Sequence, residues 1–107
     1  MFCAGHCIEL PLSRAGEQTK DLFEVKDAMG LGYAESTDAE LEFIRSVART
    51  TGVILDPVYT GKGAYGFAQT VASNPSAWSG KKVLFIHTGG LLGTYAKAEE
   101  LVNASKL

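Results

Sequence analysis

The chain has 107 residues, of which 46% are hydrophobic and 21% charged, and a formal charge of -2. A domain of this length buries about two-thirds of its unfolded surface, so little stability is spare, and the composition is that of an ordinary globular protein rather than a disordered or fibrous one. The charge is weak and unblocked, which argues against nucleic-acid binding. No run approaches the roughly 20 apolar residues of a membrane span, and the first residues lack a secretory signal. A soluble, cytoplasmic protein is the default expectation.

Residues 1–20 show no sustained periodicity and contain Pro11, Ser13, Gly16, Gln18 and Thr19, so they read as an irregular leader. Within it, Cys3 and Cys7 bracket His6. Thiolate and imidazole bind zinc, but three ligands so close together, without a second cluster, cannot close a tetrahedral structural site, so no metal is expected. Two cysteines also make no disulfide framework. Leu22-Phe23-Glu24-Val25 reads as a short strand, and Met29-Gly30-Leu31-Gly32-Tyr33 as glycine punctuation that leaves Tyr33 on a loop.

Thr37 opens the clearest helix, because its hydroxyl can cap the first turn while Glu40 reaches back as the other half of a capping box. Leu41, Ile44, Val47 and Ala48 form its apolar face, and Gly52 stands where a left-handed stop belongs, just before the apolar run 53–55. A second helix is expected over about 62–73, carrying Ala64, Phe67, Ala68 and Val71, with Asn74-Pro75 as its end. A strand at 83–86 and a third helix from about Gly90, carrying Leu91, Tyr95, Ala98, Leu101 and Val102, complete an α/β alternation of helix and strand with a short parallel sheet.

Both apolar runs end in polar residues and glycines before a helix, the order in which strand tips present a site in an open parallel sheet. Gly89, Gly90 and Gly93 form a turn that either holds an anion on free amides or simply packs closely. Lys62 reads as a solvated or phosphate-facing lysine rather than an imine-forming amine. Tyr33 and Tyr59 are loop phenols, able to stack on a ligand and move a proton, or else half-buried packing. Asp56 is expected to orient or cap its loop, and His87 to make a loop hydrogen bond or to titrate. Thr60 and Thr88 matter only if the two tips converge on one ligand.

Gly30-Leu31-Gly32-Tyr33, Leu55-Asp56-Pro57-Val58-Tyr59-Thr60-Gly61-Lys62 and Phe85-Ile86-His87-Thr88-Gly89-Gly90 together resemble the C-terminal portion of the D-cysteine desulfhydrase and 1-aminocyclopropane-1-carboxylate deaminase family. The resemblance runs from about Asp21 to the end. It implies that residues 21–107 are the C-terminal segment of the larger domain of a tryptophan-synthase-β-like, fold type II enzyme that binds pyridoxal 5'-phosphate. It implies Tyr59 and its partner Tyr33 as catalytic residues, and Tyr59, Thr60, Thr88 and Gly89 as cofactor contacts.

The family's cyclopropane deaminases typically carry glutamate and leucine where Thr60 and Thr88 stand, so the two threonines favour the desulfhydrase. A neutral hydroxyl near the pyridine nitrogen gives a weaker electron sink than a carboxylate partner does. That suffices for α,β-elimination of D-cysteine to pyruvate, hydrogen sulfide and ammonia. The resemblance places the Schiff-base lysine and phosphate loop of the family before these motifs, so the chain alone is expected to be inactive. Other readings are a deaminase-like segment, a free-standing phosphate-binding module using the glycine turn, or a partner that hetero-dimerises with a full-length relative. A homodimer is implied for the full-length family.

Overall fold

The computed structural model describes residues 6–9 and 24–103. Two short strands, β1 (His6–Glu9) and β2 (Glu24–Asp27), pair antiparallel with His6 opposite Asp27 and Glu9 opposite Glu24. A strand therefore interrupts the stretch expected to be an irregular leader. Its backbone groups are satisfied by β2, two residues downstream of where a strand was expected. Cys3 and the rest of residues 1–5 and 10–23 lie outside the described residues, as do the side chains of His6 and Cys7, and with them the expectation about metal.

Helix α1 (Asp38–Thr51) follows the capping logic of its sequence. The Thr37 amide donates to Glu40 Oε2 at 2.7 Å, and the Glu40 amide donates to Thr37 Oγ1 at 3.2 Å. At the other end Gly52, at φ 76°, closes the helix through its amide to the Ala48 carbonyl at 3.0 Å. Leu41 and Ile44 are buried on one face and join Leu55 and Leu101 in the core, with Phe43, Val47, Ala64 and Phe85 packed around them.

Helix α2 (Thr60–Ser73) begins two residues before the expected start. Asn74-Pro75 both ends it and starts α3 (Pro75–Trp78): proline is tolerated in a first turn, where its missing donor has no intrahelical acceptor, and Asn74 Oδ1 accepts the Ala77 amide at 3.4 Å. Trp78 stands edge-on to Phe67, ring centroids 5.1 Å apart, which fastens α3 to α2. The expected third helix is two, α4 (Leu91–Ala96) and α5 (Ala98–Asn103), broken at Lys97. Leu101 is the buried residue of α5.

The short parallel sheet expected from the runs 53–55 and 83–86 is not formed. Both are extended chain, and the sheet among the described residues is the antiparallel pair β1–β2. The physical reason lies in coverage, because parallel strands are stable when both faces are buried. Here Ile54, Leu84 and Ile86 are 49%, 84% and 57% exposed. The runs nevertheless lie side by side: Leu55 and Phe85 share the core, and His87 Nε2 is 2.9 Å from the Ile54 carbonyl. No described helix is long and apolar enough to cross a membrane.

Candidate functional site

Asp56 organises the first turn. It is fully buried, and its carboxylate accepts from the amides of Val58 (2.9 Å), Tyr59 (2.7 Å) and Thr60 (2.9 Å) and from the Thr60 hydroxyl (2.6 Å). Three of these donors are amides at or just before the first residue of α2 (Thr60–Ser73), which lack intrahelical acceptors, so Asp56 caps the helix from four residues upstream. The negative charge also suits the positive end of the helix dipole. Pro57 between them restricts the backbone as the chain reverses.

The second turn closes onto the first. Gly90 adopts φ 92°, and a methyl group on its α-carbon would come within 2.7 Å of the Asp56 carboxyl carbon. Only glycine combines that backbone angle with that approach. The Gly93 side of the turn rests near Val58. His87 latches it: Nδ1 accepts the Gly89 amide at 3.1 Å, which leaves Nε2 to carry the proton donated to the Ile54 carbonyl. A carboxylate so close to Gly90 makes the turn a poor anion cradle, and close packing accounts for Gly90, while Gly89 stands in open space at φ 106°.

A third segment, residues 30–36, brings Tyr33 to Tyr59. Their hydroxyls are 3.0 Å apart and their rings meet edge to face with centroids 6.0 Å apart. Tyr59 is pushed above the usual phenol range, first by the hydrogen bond with Tyr33, then by partial burial and the repulsion of Tyr33 and Asp56. Tyr59 thus holds its proton at neutral pH, and one of the two hydroxyls donates to the other.

Of the expected site residues, the structure brings Tyr33 and Tyr59 into contact. It places Thr88 and Gly89 on the turn that abuts the Asp56 turn, Thr88 exposed and Gly89 partly so. Thr60 departs from expectation: it is 1% exposed, and its hydroxyl donates to Asp56 and accepts the Asp56 amide at 3.0 Å. It locks the turn instead of facing a ligand. Lys62 departs as well. Expected to be solvated or phosphate-facing, it is 2% exposed and paired with Glu40 at 3.2 Å. Sequence reasoning used Glu40 only as a cap, and the signal that its second oxygen serves elsewhere was absent, since the partner lies 22 residues away.

An apolar groove of about 550 Å³ between α1 and α2, lined by Phe43, Val47, Leu55, Phe67, Val71 and Phe85 among others, includes none of the expected site residues. It belongs to the core side of the helices, away from the phenol pair.

No family model and no solved structure matches the chain. Curated proteins do. The chain is 51% identical over 89 residues to the bifunctional D-cysteine desulfhydrase/1-aminocyclopropane-1-carboxylate deaminase, mitochondrial, of Arabidopsis thaliana, a match covering 83% of this chain and 22% of that protein. It is 43% identical over 82 residues to a putative 1-aminocyclopropane-1-carboxylate deaminase of Thermotoga maritima, covering 76% and 25%, and 37% identical over 78 residues to a D-cysteine desulfhydrase of Salmonella typhi, covering 73% and 24%. The chain thus spans about a quarter or less of the length of these relatives. Over the matched stretch, with its paired tyrosines and its two abutting turns, the chain belongs to the D-cysteine desulfhydrase/1-aminocyclopropane-1-carboxylate deaminase family.

Proposed function

We propose that this chain supplies one wall of the active site of a pyridoxal-phosphate-dependent lyase that acts on D-cysteine. The observation that carries the reading is the contact of the Tyr33 and Tyr59 hydroxyls beside the abutting turns of Asp56 and Gly90. The residues present fit a flat ring at Tyr59, Thr88 and Gly89, which stand on those turns with accessible surface. Thr60 fits only as the lock of the Asp56 turn. Bound pyridoxal phosphate would supply the electron sink for breaking bonds at the substrate's α-carbon.

This chain's own part is to orient and to handle protons. The Tyr59 ring would limit how the cofactor ring tilts, and its hydroxyl, backed by Tyr33, would hold or move a proton at the departing group. Thr88 would offer a neutral hydroxyl beside the ring, which suits elimination with a good leaving group such as a thiolate better than opening of an unactivated cyclopropane. The runs 53–55 and 83–86 would become neighbouring parallel strands once covered on both faces. No residue here stands for the Schiff-base lysine of the resemblance, so turnover would need that group from elsewhere in the enzyme.

A chimera tests this. Residues 24–103 replace the matching stretch of the Salmonella D-cysteine desulfhydrase, and sulfide release from D-cysteine is measured. The expected result is a working enzyme that loses about a hundredfold in kcat on Tyr59→Phe, the scale of one general acid-base group. A working chimera indifferent to Tyr59→Phe would remove Tyr59 from the chemistry. The isolated chain with pyridoxal phosphate is expected to release sulfide no faster than the cofactor alone.

A further inference from the structure

We infer that Lys62 and Glu40 are positioning residues for the phenol pair: their buried ion pair ties the loop that carries Tyr33 to the first turn of α2, which Tyr59 immediately precedes. The inference rests on the reading that Tyr59 acts at the site, and it names what holds that site together.

Lys62 and Glu40 side chains are 2% and 5% exposed, and the ammonium lies 3.2 and 3.4 Å from the two carboxylate oxygens. Its remaining reach goes to the Glu35 carbonyl at 2.5 Å. A buried ion pair is seldom more stabilising than apolar residues of the same volume, because both ions lose their hydration, so its presence points to geometry rather than stability. The geometry here is specific. Gly30, at φ 65°, passes so near the pair that a methyl group there would come within 2.7 Å of Glu40 Oε1 and 3.3 Å of Lys62 Nζ.

The pair therefore holds the loop at two points, Gly30 packed on it and Glu35 bonded to it, with Tyr33 between them, and Ser36 Oγ adds a longer bond to the Pro57 carbonyl at 3.4 Å. Ala34, next to Tyr33, sits at φ 58°, a left-handed angle that a non-glycine residue keeps only when its surroundings enforce it. Tyr33 itself is 67% exposed, so packing of its own ring does not fix it. Lys62 lies in the first turn of α2, three residues after Tyr59, which immediately precedes that helix, so the tie bears on the separation between the two hydroxyls.

The test reads Tyr59 in the isolated chain, by the pH dependence of tyrosinate absorbance, assigned by difference from Tyr59→Phe. The groups facing its hydroxyl are Tyr33 from the loop and Asp56 from the turn. Tyr33→Phe sets the value for a Tyr59 without its partner. The double variant Glu40→Gln/Lys62→Met removes both charges while keeping an acceptor for the Thr37 amide, and far-UV circular dichroism shows whether α1 and α2 persist. The expected result is a Tyr59 midpoint that falls to the Tyr33→Phe value with the helices retained. A retained parental midpoint in the folded double variant overturns the inference.

Should the double variant unfold, Gly30→Ala answers instead, since its methyl group strains the left-handed backbone and pushes on the ion pair while leaving both charges in place. The same fall is expected there, and an unchanged midpoint is equally fatal. Neither measurement needs cofactor or turnover. Failure to bind pyridoxal phosphate would thus sink the proposed function while leaving this result to stand or fall by itself.

Discussion

At the scale of single residues, Asp56 and Gly90 carry the site. One carboxylate satisfies three amides and a hydroxyl, and a glycine lets the second turn reach it. Asp56→Ala leaves those donors, two buried and two part-buried, without their acceptor and is expected to cost about 3 kcal/mol, read from urea denaturation, as the loss of hydrogen bonds to a charged group does. Gly90→Ala adds a strained angle and a clash with that carboxylate, about 1–3 kcal/mol by the usual cost of a left-handed residue. The Tyr33–Tyr59 bond has its own signature. A phenol whose pKa is raised in the fold holds its proton more tightly there than in the unfolded chain. Its contribution is complete below the unfolded value and is lost as pH climbs through the folded one. Tyr33→Phe should therefore lower the pH at which Tyr59 ionises.

At the scale of elements, what was legible depended on how local the cause is. The capping box of Thr37 and Glu40 and the Gly52 stop lie within the segment they govern, and α1 runs as its sequence implies. Thr37→Ala should cost about 1 kcal/mol and reduce helical circular dichroism. Helix α2 starts early because its cap is Asp56, four residues upstream, a spacing that simple capping rules do not cover. The break at Lys97 and the start of α3 at Pro75 are equally local but were hidden inside apolar patterns that continue across them. The runs 53–55 and 83–86 have the composition of strands, yet pairing needs covering partners that composition does not supply. The phenol pair was visible only through the family resemblance. The burial of Lys62 was not visible at all, since its partner is remote in sequence and an isolated lysine beside a glycine reads as solvated.

At the scale of the whole molecule, four buried hydrophobic residues, Leu41, Ile44, Leu55 and Leu101, form the described core, and this is a small foundation for a domain. The apolar side chains of Val53, Ile54, Val83, Leu84 and Ile86 stay exposed along two neighbouring extended runs. Such an exposed apolar edge invites association. Sedimentation of the isolated chain should show concentration-dependent self-association that Leu84→Lys reduces without changing helix content. In this chain, which matches 22% of its Arabidopsis relative, polar contacts hold the site segments: Lys62 and Glu40 tie the Tyr33 loop to α2, Asp56 closes its own turn, and His87 latches the second turn to the Ile54 carbonyl.

The most direct test of the central claim, that the turns at Tyr59 and Thr88 serve one ring-shaped ligand, is a titration of the nitrogen-15-labelled chain with pyridoxine 5'-phosphate. This analogue lacks the aldehyde and so forms no imine with surface lysines. The account predicts that the amide signals of Tyr59, Thr88 and Gly89 move together along one saturating curve, and that Asp56→Ala abolishes the movement. Signals that stay fixed at these three residues while the ligand shifts others, or shifts none, would contradict it.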